Sequence, residues 1–419
     1  MKTAAVICEL NPLHNGHAYL FQEAKRRSSA DYLVAIMSGN YVQRGEPAVF
    51  DKHTRAALAL RSGADLVLEL PVWFATASAR EFARAGVAAA QKSGIIDVLA
   101  FGAEGIETKK EDAQLLLALQ SIANALPEAE TEAFQEAVRN GLKKGLLYPA
   151  AREVAMRRES GIADEMKIDT PNNILAVEYL RALARENSNI MPLAIRREGD
   201  GYHESKLNDK KFVSATALRR LLYEPAKENE PKRVWEKLRT YCPKETKSIY
   251  EAALEQKAVN CESLSLLLNA RILETMAGAS SDFTCYADVS KALSDRLKSN
   301  ANQLTGFAGR IRQLKTRQYT YTRVQRALLH IALGMQEAET EAEKAAGYVR
   351  YLQILGFRKD AAPLLHKLKE RACVPVVTKV AANQEILGKA LYYDQIYYAL
   401  SVLDETKTRS IYERSPVIF

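Results

Sequence analysis

At 419 residues, with an apolar fraction of 47% and 26% charged residues, the chain is long for one core and too apolar for disorder, so two folded domains are expected. Lys and Arg outnumber Asp and Glu 59 to 51, a net charge of +8, which favours a polyanionic partner such as nucleic acid. No apolar run reaches the roughly 18 residues of a membrane span, and no signal-peptide pattern opens the chain, so a cytoplasmic protein without membrane contact is expected.

In chain order, apolar runs with strand character alternate with helical periodicity: strand 3–9, helix 16–28, strand 32–37, helix 51–61, strand 65–70, helix 79–92 and strand 98–101. Continuous apolar strands of this kind, with Gly63 and Gly94 closing helices, fit a parallel sheet covered on both faces. Such a sheet binds ligands at its strand carboxyl ends. Residues 109–158 read as helical, followed by helix 172–183, strand 191–195 and a helix opening near Ser214. The stretch 224–232, with two prolines and no periodicity, reads as a linker. It divides a domain 1–223 from a mainly helical domain 233–419, in which 374–377 is a short apolar run and 391–403 an aromatic helix. The five cysteines (Cys8, Cys242, Cys261, Cys285, Cys373) stand far apart without a CxxC pair, so neither a disulfide framework nor a metal site is implied.

Chemistry concentrates where the first strand meets the first helix, in the string Asn11-Pro12-Leu13-His14-Asn15-Gly16-His17. Two imidazoles, backbone amides and a positive helix end converge there, which suits phosphate. Gly16 allows close backbone approach, and His14 and His17 can donate to oxygens whose charge grows as an α-phosphate becomes five-coordinate. At a second helix start, Ser214 or Thr216 can cap while Arg219, one turn in, can clamp released pyrophosphate. On the helix after the polar loop with Gln43 and Arg44 at its tip, Lys52 and Arg55 share a face; they fit either pyrophosphate or plain solvent. Between Arg296 and Gln336 there is no acidic residue, while Arg310, Arg312, Lys315, Arg317, Arg323 and Arg326 interleave with Tyr319 and Tyr321. That mixture suits RNA phosphates and stacked bases.

An HxGH string with a later Ser/Thr helix start and Arg is similar to the nucleotidylyltransferase superfamily. The strings "ELNPLHNGHAYL", "MSGNYVQRGEPAVFDKHTRA", "GADLVLELPV", "ASAREFARAGV", "FGAE", "TPNNILAVEYL", "GDGYHE" and "RQYTYTRVQRALLHI" resemble the tRNA(Met) cytidine acetate ligase family. The resemblance implies an α/β fold, a Rossmann-like nucleotidyltransferase domain followed by a mainly helical C-terminal domain. It also implies a two-step reaction. Acetate attacks the α-phosphate of ATP, accompanied by Mg2+, to give acetyladenylate; the exocyclic amine of the wobble cytidine of elongator tRNA(Met) then takes the acetyl group. The family's ATP contacts fall on Ile7, Cys8, Glu9, Leu10, Asn11, Pro12, Leu13, His14, Asn15, Gly16, His17, Ala18, Tyr19 and Leu20, on Gly102, on Asn172 or Asn173, and on Arg196 or Arg197; Ser214 and Thr216 join them at the second helix start. His53, Glu198 and Asp200 depart from the family pattern and bear on local loop geometry. Two rival readings are a small-molecule adenylyltransferase using the same HxGH edge and a non-catalytic RNA-binding protein on a degenerate nucleotide fold.

Overall fold

A computed structural model describes residues 1–104, 112–126, 132–146, 148–160, 170–197, 214–223, 231–255, 258–279, 281–316, 319–401 and 410–419. The first elements are β1 (Thr3–Cys8), α1 (Asn15–Ser28), β2 (Tyr32–Ser38), a hairpin of β3 (Tyr41–Val42) and β4 (Glu46–Pro47), α2 (Lys52–Arg61), β5 (Leu66–Leu70), a short α3 (Val72–Ala75), α4 (Ala79–Ser93) and β6 (Val98–Ala103). Helices α5 (Asp112–Ala125), α6 (Glu132–Lys143), α7 (Tyr148–Ser160) and α8 (Pro171–Arg185) lead to β7 (Met191–Arg196) and α9 (Ala215–Tyr223). Local chemistry sets the boundaries. Asp51 caps α2 by accepting from the His53 and Thr54 amides, and Ser78 caps α4, which Gly94 ends at a φ of 65°.

Strand order in the main sheet is β10-β8-β5-β2-β1-β6-β7, where β8 (Leu352–Phe357) and β10 (Val417–Ile418) come from the far end of the chain. β1 pairs in parallel with β2 on one side and β6 on the other, Val6 facing both Ala35 and Ala100. The chain therefore works outward through β2 and β5, then crosses back over β1 to β6 and β7. That reversal opens a crevice at the carboxyl ends of β1 and β6, where open α/β sheets bind ligands. Alternate residues serve the two faces: Ala5, Ile7, Val34, Ile36, Leu99 and Phe101 enter one core, and Ala4, Val6, Cys8, Ala35, Met37 and Ala100 the other.

The rest of the chain is mainly helical, as expected: α10 (Pro231–Leu238), α11 (Lys247–Leu254), α12 (Ser265–Ala277), α13 (Lys291–Asn300), α14 (Phe307–Leu314), α15 (Tyr321–Leu333), α16 (Glu337–Ala345), α17 (Ala362–Arg371), β9 (Val376–Val377), α18 (Gln384–Leu387) and α19 (Lys389–Ser401). Of the expected linker, residues 224–230 lie outside the described residues, while Pro231 and Lys232 open α10. The regions on either side share their cores. Leu268, Ile272 and Leu328 join the first cluster, and Trp235, Leu238 and Tyr250 the second. β8 runs antiparallel on β5, Leu66 facing Phe357, and covers what would otherwise be an open sheet edge. Among the described residues no helix is long and apolar enough to cross a membrane.

Lys52 and Arg55 are structural, which closes the pyrophosphate option for both. Lys52, 2% exposed, pairs with Glu69 at 2.7 Å and with Asp394 of α19 at 2.5 Å. Arg55 is fully buried, and its guanidinium donates to the carbonyls of Phe50, Glu9, Ser38 and Gly39. It thereby staples the outgoing ends of β1 and β2 together, just beneath the crevice.

Candidate active site

Helix α1 opens on its two histidines. His14 is the N-cap with a φ of −148°, and its Nδ1 accepts the Gly16 amide at 3.1 Å; the His14 amide in turn donates to Nδ1 of His17 at 3.2 Å. This is a capping box built from imidazoles, the rings lying 3.9 Å apart. Gly16 is required by contact, since a Cβ there would stand 2.9 Å from Cε1 of His14. Because each Nδ1 is an acceptor, each neutral ring carries its proton on Nε2. Burial keeps the rings neutral: His17 is pushed down to about 3, with Arg197 adding to the effect, and His14 lies well below the usual histidine value through burial, His17, Arg197 and Arg219. No acidic residue occupies the first turn of α1, so the positive end of its dipole stays unneutralised.

Both histidines line a cleft of about 230 Å³ at the carboxyl ends of β1, β6 and β7. Of the expected ATP residues, Ile7, Cys8, Glu9, Leu10, Asn11, His14, Gly16, His17, Tyr19, Leu20, Gly102, Asn172, Arg196, Arg197, Ser214 and Thr216 line it as well. Leu13 turns its side chain into the second core and its carbonyl to Tyr250, while Asn15 reaches Thr240 and Tyr241. Those two anchor the loop to the turn after α10 and to α11; Pro12 and Ala18 are likewise absent from the wall.

The two open choices divide differently. Asn173 is fully buried, and its side chain holds the backbone of Glu104, accepting from the nitrogen at 2.8 Å and donating to the oxygen at 3.0 Å. It fixes the exit of β6. Asn172 faces the cleft and bonds the Glu104 carboxylate at 2.8 Å, and Thr170 caps α8. Arg196 and Arg197 both reach the wall, and a Cβ at Gly102 would stand 3.4 Å from Cγ of Arg197. Burial pulls the Arg197 guanidinium below its ordinary value, with Glu104 opposing.

At the second helix start, Ser214 Oγ accepts the Ala217 amide at 3.2 Å and is the cap, while Thr216 Oγ1 accepts from Arg219 at 3.3 Å. Arg219, 7% exposed, donates to the Asn11 carbonyl at 2.7 Å and pairs with Glu46 of the hairpin at 3.1 Å. It therefore locks the HxGH loop to β4 while one face lines the cleft. Sequence reading missed the apolar wall made by Phe82, Phe101, Leu175 and Tyr179, with Phe101 and Tyr179 ring centroids 5.8 Å apart. The signal was there: Asn172, Leu175 and Tyr179 lie at i, i+3 and i+7 on one helix face.

The basic region is reshaped. Arg310 is fully buried, and its guanidinium bonds the Asn300 and Gln303 carbonyls and the Asn269 side chain, so it belongs to the bundle interior and not to an RNA surface. Arg326 pairs with Asp288 at 3.0 Å. Arg312, Lys315 and Tyr321 are exposed, and Arg323 lies over the Tyr319 ring at 5.1 Å. Arg317 lies outside the described residues, as does the loop carrying Glu198 and Asp200. The hairpin turn meets this region directly. At Gly45, with a φ of 79°, a Cβ would stand 2.5 Å from the Arg326 backbone nitrogen.

A neutral histidine pair at an undischarged helix start, in the crevice where a parallel sheet reverses and ringed by arginines, defines an HxGH-type nucleotidyltransferase. The HIGH Nucleotidyl Transferase family matches residues 1–412. The tRNA(Met) cytidine acetate ligase of Thermoanaerobacter sp. (strain X514) is 33% identical over 405 residues, 96% of this chain and 94% of that one. Thermotoga maritima TmcAL superposes with a TM-score of 0.84 in an apo crystal form, 29% identical over 100% of both chains. Its form bound with alpha-thio ATP gives 0.82 at 30% identity, over 100% of this chain and 99% of that one. The chain belongs to the tRNA(Met) cytidine acetate ligase family.

Proposed function

We propose that this enzyme activates acetate with ATP and acetylates the exocyclic amine of the wobble cytidine of elongator tRNA(Met), forming N4-acetylcytidine. The observation that supports the first half is the His14–His17 pair on the cleft wall at a helix start, neutral rings whose Nδ1 atoms are both engaged, which leaves their Nε2–H groups to donate. An acetate oxygen attacks the α-phosphorus, the bond to the bridging oxygen breaks, and pyrophosphate leaves. The imidazole donors and the α1 amides stabilise the charge that accumulates on the α-phosphoryl oxygens. Arg44, Arg196, Arg197 and Arg219 line the same cleft and favour the polyphosphate; Mg2+ brought in with ATP would offset part of its negative charge. The wall of Phe101 and Tyr179 suits a purine ring. Positioning contributes the rest, because the protein supplies no covalent nucleophile.

For the second half, Arg312, Lys315, Tyr319, Tyr321 and Arg323 supply a basic, aromatic surface, and the mainly helical part 233–419 that carries them is the tRNA-binding domain of a cytoplasmic enzyme. The anticodon base is already unpaired, and bringing it to the adenylate costs on the order of a few kcal/mol of unstacking. The test is nucleoside mass spectrometry after incubating the protein with transcribed methionine tRNA, ATP and isotope-labelled acetate. Label in acetylated cytidine with release of AMP and pyrophosphate is expected. Pyrophosphate exchange that ignores acetate and answers only to a nucleotide monophosphate would establish the small-molecule adenylyltransferase instead.

A further inference from the structure

The turn between β3 and β4 brings a carboxylate and a carboxamide to one corner of the cleft. Glu9, at the outgoing end of β1, lines the cleft, and its carboxylate accepts the backbone N–H of Gln43 at 2.5 Å, which fixes the two residues side by side. The Gln43 side chain lines the cleft too, and among the described residues its amide nitrogen is buried without a hydrogen-bond partner. Folded proteins pair nearly all such groups. A lone donor on a residue of the cleft wall is therefore suited to an acceptor that arrives with a ligand, the Gln43 side chain turning outward to meet it. Glu9 is a poor neighbour for a phosphate, so this corner fits a neutral group. Burial raises its carboxyl above the ordinary range, against the pull of the Gln43 amide, Arg44 and Arg219, and so makes it a stronger proton acceptor than a free carboxylate.

An acceptor beside a donor matches one base edge. Cytosine presents its exocyclic amine, a donor, next to ring N3, an acceptor, whereas uracil reverses both; a carboxylate accepting from N4 is an established way to read cytosine. We propose that Glu9 and Gln43 read the Watson–Crick edge of the wobble cytosine, Glu9 accepting from N4 and Gln43 Nε2 donating to N3, and that Glu9 takes the N4 proton during transfer. This rests on the acetyl-transfer function proposed above. In the step, N4 bonds to the acetyl carbonyl carbon. The bond from that carbon to the AMP phosphate oxygen breaks, AMP leaves with the electron pair, and the N4 proton passes to the Glu9 carboxylate. The corner adjoins the RNA surface: beyond Gly45, Glu46 accepts from Gln325 of α15 at 3.5 Å, and exposed Tyr321 lies within electrostatic reach of Glu46.

The experiment compares acetate-dependent pyrophosphate exchange without tRNA, acetyl transfer to a transcript with wobble cytidine, and inhibition by the same transcript with wobble uridine. In Gln43→Ala, transfer falls roughly tenfold to a hundredfold relative to exchange in the same preparation, and the uridine transcript gains on the cytidine transcript as a competitor by a similar factor. In Glu9→Gln, which still hydrogen-bonds but takes up no proton, the turnover number for transfer falls roughly a hundredfold or more and the acid limb of its pH profile disappears; Glu9→Asp restores the limb. Equal loss of exchange and transfer in Gln43→Ala would assign the corner to ATP and overturn the proposal, as would unaltered discrimination against uridine or an acid limb retained in Glu9→Gln. A wild-type enzyme that performs acetate-dependent exchange but acetylates no cytidine overturns the acetyl-transfer function itself, and this proposal with it.

Discussion

Replacing His17 by Ala separates what the ring does for the helix from what it does for the reaction. The ring accepts the His14 amide at 3.2 Å, one capping hydrogen bond, so its loss costs roughly 1 kcal/mol of stability. Its Nε2–H is a donor toward the cleft, and loss of one donor at a developing charge costs roughly a hundredfold to a thousandfold in rate, about 2.7–4 kcal/mol. Acetate-dependent exchange of labelled pyrophosphate into ATP should therefore collapse in a protein whose urea midpoint has barely moved. The same variant tests the ring's charge. Burial holds His17 down to about 3, whereas the unfolded ring titrates near 6.5. As pH falls below that value the unfolded chain binds a proton the folded chain refuses, and stability present at neutral pH is lost, up to about 2 kcal/mol from this ring between pH 7 and 5. Glu69 works the other way, raised to about 7 by burial, so the informative quantity is the difference between wild type and variant, which should lose acid sensitivity by that amount. Exchange within threefold of wild type in a folded His17→Ala protein would refute the catalytic reasoning, and an unchanged acid slope would refute the neutral ring.

Lys52→Met leaves the Glu69 and Asp394 carboxylates buried without their cation, and urea unfolding should register a loss of about 3–5 kcal/mol, with the KM for pyrophosphate in exchange unaltered at a temperature where the variant is folded; a raised KM with full stability would return Lys52 to the active site. Charge reversal at Arg323, half-exposed over Tyr319, should weaken tRNA binding and flatten its salt dependence by roughly one phosphate contact, measured by filter binding across a salt series. Arg310→Met should instead lower the melting temperature, because it removes the guanidinium hydrogen bonds to the Asn300 and Gln303 carbonyls in the bundle, and the tRNA salt slope of the folded variant should match wild type.

The sequence by itself determined the parallel α/β half, because strand and helix periods there are local and their punctuation by Gly63, Gly94 and Asp51 is chemical. It also placed His14, Gly16 and His17 at a helix start after a strand, where the structure finds all three on the cleft wall, since such a start needs nothing from elsewhere to point its amides at a ligand. What only the tertiary structure decided are the questions of facing. Helical periodicity places Lys52 and Arg55 on one face but does not say that Asp394, hundreds of residues away, covers it. Asn172 and Asn173 are neighbours in sequence and diverge only because a helix turns about 100° per residue, sending one to the cleft and the other under β6. Arg310 reads as one more cation in an acid-free run, and burial against carbonyls from α13 and its exit removes it from the surface. The return of β8 to the edge of β5, and the hairpin corner of Glu9 and Gln43, depend on pairings between distant segments, whose free energy is set by long-range packing and leaves no local trace in the chain.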